Sequence, residues 1–171
     1  MKIIRKFNAF VLAVLVPVVV LIAAPAAATG LEKPTGRVIL SVTGSGAATN
    51  VDGRADFDLA MLKKLGGKTL ETTTFWTKGP QMFEGVWMKD LIAAVGASGF
   101  STIHAKALND YVGVIPAGDL QETDILVAYL HNGKTMAVRE HGPLWIIVPA
   151  GADIEKLADK MVWQLRSIDF Q

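Results

Sequence analysis

The chain has 171 residues, no cysteine and a formal net charge of +1. Without cysteine it has no disulfide, no thiolate nucleophile and no thiolate metal ligand, so its fold depends on packing alone. The nearly balanced charge lacks the basic excess that nucleic-acid binding requires, and we expect no nucleic-acid partner.

Residues 1–28 have the features of a signal peptide. Three basic residues near the start precede an apolar run over 9–24, and Ala26 and Ala28 provide a cleavage site. The run is shorter than the roughly 20 residues of a spanning helix, which disfavours an uncleaved anchor. We therefore expect cleavage after Ala28 and a periplasmic chain. No twin arginine is present, so the twin-arginine export route is not indicated. Cleavage removes three of the 17 basic residues and none of the 16 acidic ones, which leaves a formal charge of −2.

The remaining residues are predicted to form a lead-in over 29–36 and one domain over 37–171. Within the domain, short apolar and β-branched runs predict strands, and apolar residues spaced three and four apart predict helices. The predicted strands are 37–44, 70–77, 82–87, 102–108, 111–115, 125–130, 134–138, 144–148 and 162–170.

Two or three short helices are predicted between the strands. The first begins at Ala55 or Asp56 and ends at Gly66-Gly67, where the glycines stop it. The second covers 88–95, with apolar residues along one face and a glycine after its last turn. The third covers 153–159 and is expected at the surface.

Asn132-Gly133 lies between two apolar runs. This pair predicts a tight hairpin, because both central positions of such a turn need a positive φ. Many short strands with few helices together predict a single α+β domain with a mixed, curved sheet.

Four motif-like features are better explained by local structure than by a catalytic site. Residues 66–69 end a helix, whereas a phosphate loop begins one. Residues 44–46 lack the third glycine of a dinucleotide fingerprint and the pattern of a nucleophile elbow. The acids of 50–58 miss the alternation of a calcium loop, and the three histidines lack the paired spacing of metal ligands.

Aromatic and polar residues at predicted strand ends form the candidate site. A planar heterocycle is bound by an aromatic face, a carboxylate that accepts paired N–H donors and a glycine that permits close approach. Trp76, Asp110 and Gly142 supply these features. The alternative is core tryptophans, an Asn-Asp turn and a surface arginine. The full candidate set is Trp76, Asn109, Asp110, Tyr111, Arg139, His141, Gly142 and Trp145.

Several short stretches occur in an order that is typical of one family. They are Phe83-Glu84-Gly85-Val86 followed by 88–95, Asn109-Asp110-Tyr111, 125–129 with Asn132-Gly133, His141-Gly142-Pro143-Leu144 with Pro149, and Trp163-Gln164-Leu165 with Ile168. With these stretches, residues 72–170 resemble the molybdopterin-binding domain of the sulfite oxidase family. The resemblance implies the fold of that family and a pterin or molybdopterin-like ligand.

One feature departs from the family. Its enzymes hold molybdenum partly through a cysteine thiolate in the region that corresponds to 72–78, where this chain has Phe75 and Trp76. The resemblance therefore implies a ligand without molybdenum, and we do not expect catalysis. The chain is more similar to a short exported subgroup, the pterin-response proteins, which bind reduced pterins in the periplasm.

The resemblance also implies roles for the candidate residues. They are Trp76 for stacking on the ring, Tyr111 or Trp145 for enclosing it, Asp110 for its paired N–H groups, and Arg139 with His141 for the rim. The leading hypothesis is a non-catalytic pterin-binding module that relays occupancy to the periplasmic part of a membrane-anchored enzyme of cyclic di-GMP metabolism. Two alternatives stay open. They are an oxidoreductase, or a subunit of one, that holds molybdopterin without cysteine, and an interaction scaffold that needs no ligand.

Overall fold

The computed structural model describes residues 30–151 and 154–171. The predicted signal peptide over 1–28 and the predicted helix start at Asp153 lie outside the described residues. In the part of the chain that the structure describes, no helix is both long and apolar enough to cross a membrane.

Ten strands, counted over the described residues, form two sheets. Sheet 1 contains β1 (Val38–Gly44), β2 (Ala55–Asp58), β5 (Thr102–Ala107), β6 (Val112–Pro116) and β10 (Leu165–Phe170), in the order β2-β1-β10-β5-β6. Sheet 2 contains β3 (Lys68–Thr72), β4 (Gln81–Trp87), β7 (Leu126–His131), β8 (Lys134–Thr135) and β9 (Trp145–Ile147), in the order β3-β4-β7-β8, with β9 also paired to β7.

The strand pairing is mixed. In sheet 1, β1 runs parallel to β10 with Ser41 opposite Ser167, and the other pairs in both sheets are antiparallel. The α+β class with mixed pairing is therefore confirmed. The strands divide between two sheets, whereas the sequence pattern alone indicated one.

The helices are short. They are α1 (Leu59–Lys64), α2 (Met88–Val95), α3 (Asp119–Glu122) and α4 (Ile154–Leu157), with 3-10 turns at Val138–Glu140 and Ala158–Lys160. The predicted bounds of α2 are confirmed, and Gly96 follows it in the left-handed region with φ 68°. The predicted hairpin is also confirmed, since Asn132 and Gly133 have φ 49° and 75°.

The predicted start of the first helix is wrong. Ala55–Asp58 forms β2, which pairs with β1, and α1 begins only after it. The reason is the side chain of Asp58, whose Oδ1 accepts a hydrogen bond from the Met61 amide at 2.9 Å. A carboxylate in this position satisfies one of the free N–H groups at the helix start.

Several predicted strands are shorter in the structure, and the strand predicted over 134–138 ends at Thr135. The strand predicted over 70–77 ends at Thr72, because the hydroxyls of Thr74 and Thr77 lie 2.9 Å apart and Thr77 Oγ1 accepts from the Thr74 amide at 3.3 Å. Such local side-chain bonds compete with a strand ladder. The strand predicted over 162–170 begins at Leu165, and Trp163 forms an isolated bridge with Trp145.

Both sheets contribute to one apolar core. In sheet 2, the neighbouring strands β7 and β9 are almost entirely buried. The apolar run over 144–148 predicts this burial for β9. Side chains that are 0 or 1 % exposed include Leu40, Val42, Ile103, Ile168 and Phe170 of sheet 1, Phe83, Val127, Trp145 and Ile147 of sheet 2, and Met88, Leu91 and Val95 of α2.

Candidate ligand-binding site

A pocket of about 400 Å³ lies where the β5–β6 turn meets the segment after α4. Its volume is within the range of small-molecule sites. Most of its lining residues are apolar or aromatic, and Asn109 and Asp159 are the polar and charged ones. The lining residues are Trp76, Ala107, Asn109, Tyr111, Ala158, Asp159, Met161, Val162 and Trp163.

Two tryptophans form the aromatic part of the pocket. The rings of Trp76 and Trp163 meet edge to face, with centroids 4.9 Å apart and 80° between the planes. Trp76 remains 38 % exposed, and its amide donates to Thr74 Oγ1 at 3.2 Å. The indole is therefore held by its neighbours and still offers aromatic surface to a ligand.

The β5–β6 turn supplies Asn109 and Tyr111. Asn109 Oδ1 accepts from the Tyr111 amide at 3.2 Å, and the Tyr111 hydroxyl donates to the Asp159 carbonyl at 2.7 Å. These bonds connect the turn to the opposite wall of the pocket. Tyr111 therefore lines one side of the pocket.

The carboxylate of Asp110 lies outside this pocket. Its Oδ1 is 2.9 Å from Lys106 Nζ and 3.2 Å from Arg166 Nη2, and its side chain is 70 % exposed. The hydrogen bond and charge of Lys106, together with the charge of Arg166, hold the pKa of Asp110 below its usual value. Asp159 is the acidic residue among those that line the pocket, and its backbone carbonyl accepts the hydrogen bond of the Tyr111 hydroxyl.

Trp145 lies behind the pocket. It is 0 % exposed, its Nε1 donates to the Met161 carbonyl at 3.2 Å, and its ring is 6.1 Å from that of Trp76. The imidazole of His141 is stacked on it at 4.4 Å. Trp145 therefore supports Trp76 and Met161, whereas the predicted enclosing role requires an accessible ring.

Arg139 and His141 line a second pocket, of about 550 Å³, that Trp76 also borders. Arg139 is 85 % exposed and lies 3.8 Å from the Glu140 carboxylate. His131 lines the same pocket, where burial lowers its pKa and the neighbouring His141 lowers it further. The predicted rim residues thus line a different pocket from Asn109 and Tyr111, and Trp76 borders both pockets.

Gly142 allows a close approach within the chain itself. A Cβ atom at this position would lie 1.9 Å from the Met136 carbonyl oxygen, and the Gly142 amide donates to the Ala137 carbonyl at 2.9 Å. The absence of a side chain therefore lets two backbone segments meet beside the second pocket.

Six pocket residues were not among the sequence candidates, namely Ala107, Ala158, Asp159, Met161, Val162 and Trp163. Asp159 belongs to a segment that the sequence predicts as a solvated surface helix, so no pattern distinguished it from other surface acids. Trp163 lies in a predicted strand and in one of the family-like stretches.

The donor set does not suit the metal part of a molybdopterin cofactor. The chain has no cysteine. Over residues 30–151 and 154–171, no group of three or more His, Asp or Glu side chains is placed to hold a metal ion. An aromatic pocket with an amide and a carboxylate suits a flat, nitrogen-rich ring.

Residues 58–170 match the model of the oxidoreductase molybdopterin-binding domain. The fold is similar to the crystal structure of the sulfane dehydrogenase SoxCD from Paracoccus pantotrophus, with a TM-score of 0.56 and 16 % identity over 77 % of this chain. The match spans only 37 % of that longer chain, and at this identity the likeness concerns the fold alone.

A comparison with curated protein sequences gives no match. The family model, however, covers most of the chain and includes every residue that lines the aromatic pocket. On this basis the chain belongs to the oxidoreductase molybdopterin-binding domain family.

Proposed function

We propose that the chain is a non-catalytic pterin-binding module, exported to the periplasm, that relays ligand occupancy to a membrane-anchored enzyme of cyclic di-GMP metabolism. The observation that carries the proposal is an aromatic pocket of about 400 Å³ in a chain without cysteine. Family membership supports a pterin-type ligand, and the missing thiolate argues against molybdenum chemistry.

In the proposed complex the pterin ring packs against Trp76 and Trp163. The Asp159 carboxylate accepts two N–H donors from the aminopyrimidone edge of the ring, a charge-assisted contact of the stronger kind. The side-chain NH₂ group of Asn109 donates a hydrogen bond to a carbonyl or nitrogen of the ring. Tyr111 closes the side of the pocket. A substituent on the ring extends past Trp76 towards Arg139 and His141.

Calorimetric titration of the purified protein with tetrahydropterin, under anaerobic conditions, tests the proposal. We expect saturable binding at one site. Trp76→Leu removes the stacking surface, and Asp159→Asn removes the charge-assisted pair, so each should weaken binding by about tenfold or more. The matched control is Asp110→Asn, which removes a nearby carboxylate that lies outside the pocket and should leave the affinity unchanged.

Two results would contradict the proposal. The first is no saturable heat with the parent protein. The second is a loss of binding in Asp110→Asn with none in Asp159→Asn, since this would place the ligand elsewhere.

Family membership also favours a second candidate, a subunit of an oxidoreductase that carries molybdopterin without a cysteine ligand. Elemental analysis of protein from its own host separates the two. Molybdenum at a near-stoichiometric level would favour the oxidoreductase subunit. The absence of molybdenum would favour the binding module. A third outcome would indicate an interaction scaffold. In that case a partner protein binds with the same affinity with and without pterin, and it binds the Trp76→Leu variant as well as the parent.

A further inference from the structure

The turn between β5 and β6 contacts two different clefts. Asn109 and Tyr111 line the aromatic pocket, whereas Leu108 lines a smaller cleft of about 220 Å³. The two clefts share no lining residue. Asp110 belongs to the same turn and is bound to Arg166, which also lines the smaller cleft.

The smaller cleft combines two guanidinium groups with aliphatic surface. Arg37 and Arg166 lie beside Val38, Leu108 and Pro143, and no acidic side chain lines the cleft. Val38 and Leu108 are each 41 % exposed. Arg37 forms no ion pair with any residue that the structure describes, and the partner of Arg166 is the exposed carboxylate of Asp110 at 3.2 Å.

This combination is complementary to a carboxylate that has an aliphatic neighbour. A guanidinium group binds a carboxylate through two parallel N–H donors, and its planar shape makes the contact selective. The volume of about 220 Å³ is below the range of typical small-molecule sites and suits one or two side chains. The charge of the cleft favours an acidic occupant.

We propose that this cleft is a docking site for an acidic segment of a protein partner, in which Glu or Asp lies next to an aliphatic residue. The carboxylate binds Arg37 and Arg166, and the aliphatic side chain packs on Val38 and Leu108. Arg166 exchanges its exposed contact with Asp110 for the carboxylate of the partner.

The position of the turn connects this docking site to the aromatic pocket. A ligand that shifts Asn109 or Tyr111 also shifts Leu108 and Asp110, because all four residues belong to one turn closed by the Ala107 amide, which donates to the Tyr111 carbonyl at 2.9 Å. This coupling rests on the proposed function, whereas docking itself does not. By linkage, the ligand and the partner must change each other's affinity by the same factor.

Amide NMR of the purified protein with a synthetic peptide, Ac-Ala-Leu-Glu-Leu-Ala-NH₂, tests the docking site. We expect saturable shifts at Val38, Leu108 and Arg166. The same peptide with Gln in place of Glu should bind at least tenfold more weakly, since it lacks the carboxylate. Arg37→Gln and Arg166→Gln should each weaken binding several-fold, and Lys68→Gln, which removes an exposed charge from sheet 2, should not.

Equal binding of the Glu and Gln peptides, or shifts confined to other surfaces, would overturn the docking site. Binding of the protein to anionic lipid vesicles, lost in Arg37→Gln, with no peptide binding would also overturn it and would indicate a membrane surface instead.

Repeating the peptide titration with saturating tetrahydropterin tests the coupling. A several-fold change in peptide affinity, matched by the same change in pterin affinity, supports it. An unchanged peptide affinity contradicts the coupling and leaves the docking site standing. If the peptide binds and tetrahydropterin does not, the proposed function fails while docking holds. If tetrahydropterin binds and the peptide does not, the docking site is overturned while the proposed function holds.

Discussion

The imidazole of His141 lies flat against the indole of Trp145, with ring centroids 4.4 Å apart and 17° between the planes. Trp145 is fully buried, and His141 has a backbone φ of 74°. Because the histidine ring covers one face of the indole, a ligand in the second pocket meets His141 before it meets Trp145. His141 lines the second pocket, and Trp145 lines neither of the two pockets that Trp76 borders.

His141→Asn tests how much this stack stabilises the fold. Asparagine tolerates a positive φ better than most residues, so the substitution removes the ring with little added backbone strain. An aromatic pair contributes about 1 kcal/mol beyond its buried area. We expect the free energy of unfolding, measured in urea, to fall by about that amount. An unchanged midpoint and slope would show that the stack does not stabilise the protein.

Gly142→Ala should be strongly destabilising. The new Cβ would overlap the Met136 carbonyl oxygen, which lies 1.9 Å from its position, and this atom belongs to backbone that cannot rotate away. We expect a loss of about 3 kcal/mol or failure to fold. Gly118→Ala is the matched control, because its Cβ would meet nothing within 4 Å and Gly118 has a helical φ of −61°. Denaturant unfolding of both variants measures the difference. Equal stabilities would contradict the close approach of Gly142 to the Met136 carbonyl.

Gly113→Ala should narrow the aromatic pocket. The added Cβ would lie 2.5 Å from Val162 Cγ2 and 3.0 Å from the Asp159 carbonyl, and both residues line the pocket. The side chain of Val162 can move, so we expect a stability loss of about 1 kcal/mol, together with a several-fold weaker affinity for tetrahydropterin. Calorimetry and urea unfolding measure the two effects. A variant that is destabilised but binds with the parent affinity would place the ligand away from Val162.

Removing only one partner of the buried ion pair between Lys160 and Asp119 should lower the free energy of unfolding. Lys160 Nζ lies 2.6 Å from Asp119 Oδ2, and the two side chains are 11 % and 10 % exposed. Asp119→Leu leaves the Lys160 ammonium group without this counter-charge, and we expect a loss of about 3 kcal/mol. The double variant Asp119→Leu with Lys160→Met removes both charges and should recover most of this loss. Denaturant unfolding of the complete double-mutant cycle measures the coupling, and additive losses would show that the pair does not interact.

Asp58 should make the stability depend on pH in the acidic range. Amide donors of Met61, Gly36 and Thr35 bind its carboxylate and hold its pKa below the usual 3.8. The stabilisation is therefore complete above about pH 3.8 and is lost as the pH falls through the lower value of the folded state. Asp58→Asn should be less stable than the parent by on the order of 1 kcal/mol at pH 7, and the difference should shrink in acid. Thermal unfolding at several pH values measures this, and a constant difference would contradict it.

Local features were predictable from the sequence because nearby residues determine them. The helix α2 follows from apolar residues at helical spacing and the glycine after them, and the hairpin follows from Asn132-Gly133. The division into two sheets did not follow, because strands far apart in the chain pair with each other. Thr43 of β1, for example, meets Asp169 of β10 across 126 residues.

The candidate site shows the same limit. The aromatic residues Trp76 and Tyr111 were identified, because exposed aromatic residues at strand ends are informative in themselves. Whether Asp110 lines the pocket depends on the conformation of one turn, in which its φ is 66°. It also depends on Arg166, which is 56 residues away and draws Asp110 to the surface. No local pattern contains this information.

The place of β10 in sheet 1 has a consequence for how the protein is made. It is the last of the described strands in chain order, yet it lies in the middle of its sheet, between β1 and β5. While the chain is still growing on the ribosome, these two strands have no neighbour to join them, so sheet 1 cannot close until β10 has been synthesised. The nascent chain therefore cannot complete sheet 1 before the residues of β10 have left the ribosome.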